Sequence, residues 1–480
     1  MKSNQAITRR FTVLLFGLFI SQTIFPQTTV TPPPNIVFII ADDLGWMDVG
    51  YNGQQFYETP NIDRLAKEGM VMNRFYPGAA NCAPSRACLL TGNYTPRHKV
   101  YLPQGVSRGG LVSKMRYKVP TKNQDATFNT FPVNINQVDD EFISLAELLK
   151  QSGYVSARFG KWHLGDSNQG FDFSSANGEP QFYTNKNGDE ARFYKDIHVA
   201  EKLTDGAIAF IENHQKSPFF LYLSHWEVHT PIVARKDRIE YFEKKNKTNP
   251  LWQEFDPVYA AEVEQVDLSV GRVLKKLEEL GLEENTVVFF TSDNGGLLDR
   301  TSNLPLRAGK GTYYEGGIRV PFCVKWPGVI PPDSKTDVAV TGVDMMPTFA
   351  EISNTKLFEN QTVDGRSIVP LFNNKPFDKN RNIFFHFPLY LGKGKASILP
   401  AYDGTKNYWR AVPSTTLISG DYKAIYYYEY DRMELFNIKK DIGEQLDLSL
   451  IELEIASRMR EEITSWVDRV KAPVPSLINL

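Results

Sequence analysis

The chain alternates short apolar runs with amphipathic stretches. Residues 35–40 (Asn-Ile-Val-Phe-Ile-Ile) form an apolar run that stops just before a pair of aspartates. Similar runs at 154–159, 219–223 and 287–290 also end in polar residues. Runs of this kind are typical of central strands in a parallel sheet, because such strands are buried on both faces.

Helical periodicity lies between these runs and predicts the fold class. Apolar side chains at 263, 266, 270, 273, 277 and 280 recur at spacings of three and four and stop before Gly281. Strands that alternate with helices predict an α/β fold with a large mixed, mainly parallel sheet sandwiched by helices. Ligands of such sheets bind beyond the carboxyl ends of the strands, so the polar residues after the runs are candidates for one shared site.

The pattern changes after about residue 375. Two β-prone stretches, 415–418 and 422–430, flank a Ser-Gly-Asp turn, and 433–438 offers a third strand. Apolar residues at helical spacing near the carboxyl terminus predict an amphipathic helix. We therefore expect a main α/β domain over 33–375 and a smaller C-terminal α+β subdomain, an antiparallel sheet plus a helix, over 380–480.

The first 27 residues have the organisation of a secretory signal peptide. Lys2, Arg9 and Arg10 precede a short apolar run over 11–20, which is followed by polar residues. The run is shorter than the roughly 20 residues that a membrane-spanning helix needs. An N-terminal anchor is the alternative. We expect an exported protein, periplasmic or extracellular, with no stable membrane insertion after removal of the signal.

Composition narrows the class of ligand. Lys and Arg number 54 and Asp and Glu number 56, for a formal net charge of −2. This balance argues against a nucleic-acid partner bound through bulk charge, so any anion must be held by a local site. The three cysteines, Cys82, Cys88 and Cys323, cannot form a disulfide framework, and at least one thiol remains unpaired.

Two acidic clusters follow strand-like runs. Asp42 and Asp43 come after the first run, and Asp293 and Asn294 come after the run at 287–290. Three carboxylates and one amide form an all-oxygen ligand set, which suits Ca²⁺ better than Mg²⁺ and is a poor match for zinc. The alternative for the first pair is a helix N-cap.

The segment 81–92 contains the most specific candidate. Pro84 favours a helix start, which puts Cys82 near the positive end of that helix and close to Arg86. A thiol in this setting is expected to be activated and to lie near an anion site. A buried structural cysteine is the alternative, and it suits Cys88 and Cys323 better.

The same segment resembles a known family. Cys-Ala-Pro-Ser-Arg at 82–86, with Thr-Gly at 91–92, matches the Cys-x-Pro-x-Arg hallmark of the type I, formylglycine-dependent sulfatases in the alkaline phosphatase-like superfamily. Further family motifs occur in the expected order at 36–43, 160–165, 307–311 and 314–321. The chain resembles secreted bacterial carbohydrate sulfatases and arylsulfatases over almost its whole length after the signal, which makes 33–375 the expected catalytic domain.

The resemblance implies a modified residue and a metal. Cys82 is expected to be oxidised before folding by a formylglycine-generating enzyme, and its hydrated aldehyde is expected to be the nucleophile. The expected ligands of one Ca²⁺ ion are Asp42, Asp43, the modified Cys82, Asp293 and Asn294.

The resemblance also implies roles for five further residues. Arg86 should hold the diol, and Lys161 and Lys310 should bind sulfate oxygens. His163 should accept a proton from the diol, and His229 should bind substrate and protonate the departing alcohol. The residues alone leave other readings open: Lys161 as a solvated loop lysine, His163 as a loop histidine with a backbone partner, and Lys310 as part of a solvated basic turn.

Two nearby histidines do not indicate zinc. His225 and His229 are four residues apart, but an extended run precedes them and Pro231 breaks any helix, so they cannot form a helical metal pair. Of the two, the resemblance makes only His229 catalytic, although His225 could line the site.

We therefore expect a sulfatase that hydrolyses a sulfate ester of a carbohydrate, such as a fragment of a glycosaminoglycan or an algal polysaccharide. The alternatives are a phosphodiesterase or phosphonate hydrolase of the same superfamily, and a sulfated-glycan binder without catalysis. Composition alone suggests that the loop at 95–140 and the segment at 385–410, including His386 and Arg410, form sugar subsites. The region 165–200 is a further expected loop.

Overall fold

A computed structural model provides the coordinates. The ranges it describes are 33–103, 112–117, 134–135, 137–175, 193–194, 197–392 and 394–475. The predicted signal at 1–27 and much of the predicted loops lie outside the described residues. No helix in the described part of the chain combines the length and the hydrophobicity that crossing a bilayer requires.

Strands and helices alternate along the main part of the chain. The strands are β1 (Asn35–Ala41), β2 (Met70–Met72), β3 (Phe75–Tyr76), β4 (Val155–Gly160), β5 (Phe173–Ser174), β6 (Phe193–Tyr194), β7 (Ile197–His198), β8 (Phe219–Ser224), β9 (Thr286–Ser292), β10 (Phe322–Lys325), β11 (Ser334–Thr336), β12 (Val340–Thr341), β13 (Asn382–Phe387), β14 (Ser414–Ser419), β15 (Tyr422–Tyr427) and β16 (Arg432–Asn437). The α-helices are α1 (Pro60–Lys67), α2 (Cys82–Thr91), α3 (Thr95–His98), α4 (Leu145–Lys150), α5 (Val199–Asn213), α6 (Lys236–Asn246), α7 (Pro257–Glu279), α8 (Glu315–Ile318), α9 (Met345–Ile352), α10 (Val369–Phe372) and α11 (Leu453–Val470).

Eight strands form the central sheet, in the order β11-β2-β10-β9-β1-β8-β4-β5. The pairs β9–β1, β1–β8 and β8–β4 are parallel, whereas β10 runs antiparallel to both of its neighbours. The prediction of a mixed, mainly parallel sheet is confirmed. The four apolar runs of the sequence lie within β1, β4, β8 and β9, which are adjacent in the sheet.

Alternate residues of β1 pack into two different cores. Phe38 and its neighbours two residues away contact one core, which also contains residues of α2, α4 and α9. Val37 and Ile39 lie in the other core, with residues of α1, α5 and α7. β1 needs this cover on both faces, because its side chains alternate and all of those after Asn35 are apolar.

The predicted long helix is α7. It begins after Asp256, whose side chain accepts hydrogen bonds from the backbone N–H groups of Val258 and Tyr259. It ends just before Gly281, which has a φ of +66°. The cap and the glycine explain why the periodic pattern predicted the helix end correctly.

A second sheet of four antiparallel strands, β13-β14-β15-β16, lies near the carboxyl terminus. The three predicted strands and the predicted helix, α11, are present. The sequence reading missed β13, because its run of apolar residues lacks a turn signal linking it to β14. Contacts group Pro33–Leu480 as one compact unit, so the division near residue 375 stays a prediction.

Helix α11 is held to the second sheet by one large side chain. Trp466 is 2% exposed, and its ring stacks on Phe384 of β13 with centroids 4.5 Å apart. The rings of Trp466 and Tyr94 pack edge to face, with centroids 5.7 Å apart. Burial of a tryptophan among other rings stabilises such an interface more than its area alone suggests.

We predict that Trp466→Ala lowers the free energy of unfolding by about 3–5 kcal/mol, because it leaves a cavity between α11 and β13. The measurement is equilibrium urea unfolding followed by fluorescence and circular dichroism. The control is Ile451→Ala, a nearby side chain that is 65% exposed and is expected to shift stability by about 0.5 kcal/mol or less. Equal shifts in the two variants would contradict this account of the interface.

Candidate active site

Acidic residues from two adjacent strands meet at one edge of the central sheet. Ala41 pairs with Ser292 in the β1–β9 register, so the residues that follow each strand are neighbours. The backbone N–H of Asp43 donates to Asp293 Oδ1 at 3.2 Å, and Asn294 Nδ2 donates to Asp43 Oδ1 at 2.8 Å. The structure therefore brings the two predicted acidic clusters together.

Several side chains at this acidic edge could bind a cation. Asp42, Asp43, Cys82 and His229 each present a ligand atom, and these atoms lie within 4.8 Å of one another. Oδ1 of Asp42 and Oδ1 of Asn294 are buried and have no hydrogen-bond partner. Buried acceptors without donors are costly, and a cation would satisfy both.

The aspartates remain ionised although they are buried. Burial raises the pKa of Asp42, but the positive charge of Lys161 and the neighbouring His229 outweigh it, so the pKa lies below its usual value. For Asp43 the same opposition holds, with Lys310 as the main favourable charge, and its pKa is also lowered.

Two buried amines neutralise these carboxylates. Lys161 Nζ bonds to Asp42 Oδ2, and Lys310 Nζ lies 2.6 Å and 2.7 Å from the two oxygens of Asp43. Burial opposes the charge of Lys310, but Asp43 raises its pKa above the usual value. Both lysine side chains are almost completely buried, which contradicts the alternatives of a solvated loop lysine and a solvated basic turn.

A glycine-rich turn at 309–311 positions Lys310 in the site. The N–H of Lys310 donates to Gly296 O at 3.0 Å, and the N–H of Gly311 donates to Ala80 O at 2.9 Å. A Cβ at Gly309 would lie only 2.6 Å from Gly296 O, so a larger residue would push the turn away. The close backbone approach therefore depends on glycine.

Cys82 is the first residue of α2 and is enclosed in the same pocket. Its side chain is 1% exposed, and Sγ lies 3.4 Å from Lys310 Nζ. Burial raises the pKa of the thiol to about 11, although Lys161 and Lys310 act in the opposite direction. The unmodified thiol is therefore protonated at neutral pH, and the expectation of a thiol activated by the helix terminus is wrong.

Arg86, one turn further along α2, is fully occupied by protein groups. Its Nε and Nη2 donate to Asp293 Oδ2 at 2.9 Å and 2.7 Å, and Nη1 donates to Lys161 O at 2.9 Å. Nη1 also donates to Ser224 Oγ at the end of β8. Arg86 thus joins α2 to the three segments that carry Asp293, Lys161 and Ser224.

The two predicted catalytic histidines differ in their surroundings. His229 Nε2 lies 3.9 Å from Asp43 Oδ2, and its Nδ1 donates to Thr230 O at 2.6 Å. His163 has a φ of +65°, and its Nδ1 is buried without a hydrogen-bond partner, which contradicts the alternative of a backbone-bonded loop histidine. Burial, reinforced by Lys161, lowers the pKa of His163 to about 2, so its ring is uncharged at neutral pH.

Comparison with known proteins identifies the family. The sequence profile of the sulfatase family matches residues 34–355, and a profile of the C-terminal region of N-sulphoglucosamine sulphohydrolase matches residues 309–468. The chain belongs to the sulfatase family. A protein named sulfatase from Formosa agariphila is 33% identical, over 96% of this chain and 94% of that protein.

Relatives of known activity and solved structures agree with this assignment. N-acetylgalactosamine-6-sulfatase of Mus musculus is 32% identical, over 70% of this chain and 66% of that protein. The crystal structure of Ps i-CgsB in complex with k-i-k-neocarrahexaose has a TM-score of 0.72 at 28% identity, and the match covers 93% and 95% of the two chains. This sulfatase is therefore a sulfuric ester hydrolase.

The structure separates the two predicted sugar-binding residues. His386 lies in β13 and is 1% exposed, and its ring nitrogens lie 2.9 Å from Thr415 Oγ1 and 2.9 Å from Pro473 O. Burial lowers the pKa of His386 to about 4. The prediction that it lines a sugar subsite is wrong, because the ring packs inside the second sheet. Arg410, in contrast, lies beside Gly311, the residue that follows Lys310.

Some residues of the sulfatase site carry no sequence signal of their own. The backbone of Asp42 exchanges hydrogen bonds with Glu227 O and the N–H of Val228, at 2.8 Å and 2.7 Å, which anchors the segment leading to His229. Trp226 lies under Lys161, with Nζ 5.4 Å from the ring centroid. His225 is buried with its Nδ1 3.6 Å from Glu227 Oε2, and neither of its ring nitrogens has a hydrogen-bond partner among the described residues, so a place for it in the lining of the pocket stays a prediction.

We predict that Arg86→Met lowers the stability of the sulfatase by about 3–5 kcal/mol, because Asp293 keeps a buried negative charge without its partner. The double variant Arg86→Met/Asp293→Asn should regain part of this loss, since the stranded charge is removed. Urea unfolding with a chelator present measures both.

The matched control is Arg64→Met. Arg64 pairs with Glu278 at 2.8 Å on the surface, where an ion pair contributes about 1 kcal/mol or less. A loss of the same size for both arginines, or no recovery in the double variant, would contradict the structural role assigned to Arg86.

Proposed function

We propose that this sulfatase cleaves sulfate esters of a carbohydrate by using a formylglycine formed from Cys82. One observation carries the proposal: the buried Cys82 sulfur lies within 4.8 Å of ligand atoms of Asp42, Asp43 and His229, and 3.4 Å from the Lys310 amine. A protonated thiol is a poor nucleophile in this pocket. The hydrated aldehyde would supply one hydroxyl for attack and a second whose deprotonation lets sulfate leave.

The enclosure of Cys82 also supports the timing of its conversion. A modifying enzyme cannot reach a side chain that is 1% exposed at the base of α2. We therefore propose that a formylglycine-generating enzyme acts on the chain before it folds, and that the chain meets this enzyme before or during export to the periplasm or the medium.

The acidic edge is the proposed binding site of one Ca²⁺ ion. Asp42, Asp43, Asp293 and Asn294 would hold it together with the modified Cys82, and the two unpartnered oxygens support this assignment. All of these donors are hard oxygens, which suit Ca²⁺. The ion would supply positive charge beside a bound sulfate group.

The remaining residues have proposed roles that follow from charge and position. Lys161 and Lys310 would bind sulfate oxygens and offset the negative charge that grows during attack. Neutral His163 would accept a proton, and His229 would donate one to the departing alcohol through Nε2, which is turned toward Asp43. Burial lowers the pKa of His229, but an incoming anionic ester opposes this effect and favours the protonated ring.

A sulfated saccharide is the proposed substrate, such as a fragment of a glycosaminoglycan or an algal polysaccharide. Two similarities support this class: the name of the galactosamine-6-sulfatase relative, and the oligosaccharide in the Ps i-CgsB structure. A phosphonate monoester hydrolase of Agrobacterium radiobacter shares the fold with a TM-score of 0.67, but at 18% identity it supports no more than the fold.

We predict that Cys82→Ala abolishes sulfate release, because no hydroxyl nucleophile remains at the base of α2. Mass spectrometry of the active wild-type protein should find the Cys82 peptide converted, with sulfur replaced by oxygen and two hydrogens lost. The control is Cys323→Ala, a buried cysteine of β10 outside the site.

Undiminished sulfate release by Cys82→Ala would refute the mechanism. Parallel assays on matched sulfate and phosphate esters test the reaction class, and faster cleavage of the phosphate would favour the phosphodiesterase or phosphonate hydrolase alternative. Tight glycan binding without turnover by fully converted protein would favour the non-catalytic binder.

We predict that Ca²⁺ raises the melting temperature of the wild-type sulfatase and that a chelator reverses the effect. A ligand that binds only the folded state stabilises it by about 4 kcal/mol at about a thousandfold excess over its Kd. Asn294→Ala should lose most of this shift, because it removes one of the unpartnered oxygens. Asp421→Asn, a change to an exposed carboxylate of the second sheet, should keep it. The same shift in both variants would place the ion elsewhere.

A further inference from the structure

Arg410 carries a positive charge beside the segment that holds Lys310 and has no acidic partner among the described residues. Its Nε donates to Gly392 O at 2.9 Å, but no carboxylate of the described residues lies within 4.0 Å of the guanidinium. The side chain is half-buried, and this burial lowers its pKa, while Asp299 and Asp43 act weakly in the other direction. A partly buried cation without a counter-charge is unfavourable, so an anion that binds next to Arg410 would stabilise it.

The location of Arg410 connects it with the sulfate-binding lysines. A Cβ at Gly311 would lie 3.6 Å from Arg410 Nη1, and Gly311 follows Lys310 directly. On its other side, a Cβ at Gly394 would lie 3.3 Å from Arg410 Cδ. The two glycines therefore leave room for this side chain next to the segment that carries Lys310.

The backbone that carries Arg410 is well supported. The N–H of Arg410 donates to Leu391 O at 2.9 Å, and bridges between Leu391 and Ala411 and between Leu399 and Trp409 hold the segment in place. Trp409 is fully buried. Because Nε is already bonded, the plane of the guanidinium is fixed and the two Nη groups remain as a fork of donors.

The two lysines of the site differ from Arg410 in that each is paired with a carboxylate. Lys161 and Lys310 are each bonded to an aspartate, so they form part of the balanced core of the site. Arg410 adds a charge outside that balance, beside the residue that follows Lys310 in the chain. A fixed guanidinium fork matches the oxygens of a sulfate or a carboxylate.

We propose that Arg410 binds a second anionic group of the substrate, a sulfate or a carboxylate, next to the sulfate that is cleaved. The inference rests on the proposed function and narrows its substrate class to saccharides with at least two negative charges. Arg410 is in this view a specificity-determining residue: it selects polyanionic substrates and takes no part in the transfer of protons.

The test compares three disaccharides that share the same cleavable sulfate. One carries no other charge, one carries a second sulfate, and one carries a carboxylate at the same position. The measured quantity is the preference, the kcat/KM of each dianionic substrate divided by that of the monosulfated one, for wild type and Arg410→Gln. Charge-assisted hydrogen bonds are worth about 1.5–3 kcal/mol, so the preference should fall about 10-fold to 100-fold, mainly through KM.

Two further variants sharpen the result. Arg410→Lys should restore only part of the preference, because an ammonium group cannot form two parallel hydrogen bonds. Arg460→Gln removes a guanidinium from the exposed surface of α11, where it pairs with Asp431 at 3.3 Å, and should leave the preference as in wild type. The two dianionic substrates show whether sulfate or carboxylate is the natural occupant.

The outcomes separate this inference from the proposed function. Sulfate release by wild type with no preference for either dianionic substrate would overturn the role of Arg410 and leave the sulfatase mechanism intact. A preference that survives in Arg410→Gln would do the same. No sulfate release from any of the three substrates by converted wild type would overturn both.

Discussion

Pairing of buried opposite charges at the ends of β1 and β9 is the constraint on which the rest of this structure depends. Three aspartates leave the sheet side by side, and none could remain ionised in a dry interior without a counter-charge. Lys161, Arg86 and Lys310 supply these charges, and each arrives from a different part of the chain. The turn after β4, the start of α2 and the glycine-rich turn must therefore all reach the same point.

The balance of charge explains why such a site would need a metal as well as lysines. Three carboxylates and three cationic side chains leave the pocket close to neutral before any ligand enters. A sulfate ester is an anion, and a neutral pocket offers it little attraction. A divalent cation would restore a net positive charge, and the lysines could then turn from the aspartates toward the ester oxygens.

Hydrophobic patterns along the sequence predicted the central strands and the edge of the sheet where the site lies. Apolar runs located β1, β4, β8 and β9, and their polar ends pointed to the shared edge, because parallel strands finish on the same side of a sheet. The prediction from composition that His386 lines a sugar subsite was wrong, because composition cannot distinguish a side chain inside a sheet from one that faces a cleft. Sequence patterns could not predict the raised pKa of Cys82 or the backbone pairing of Asp42 with Glu227, because both arise from contacts between distant segments.

The enclosure of Cys82 determines what an activity measurement on this protein means. The thiol and the proposed formylglycine differ by very few atoms, and the charge pairs around them join other residues, so both versions can adopt the same fold. Chromatography, and melting curves recorded without Ca²⁺, would treat them as one species. Specific activity would then report the fraction of molecules in which Cys82 had been converted. Two equally pure batches from different hosts could therefore differ widely in turnover.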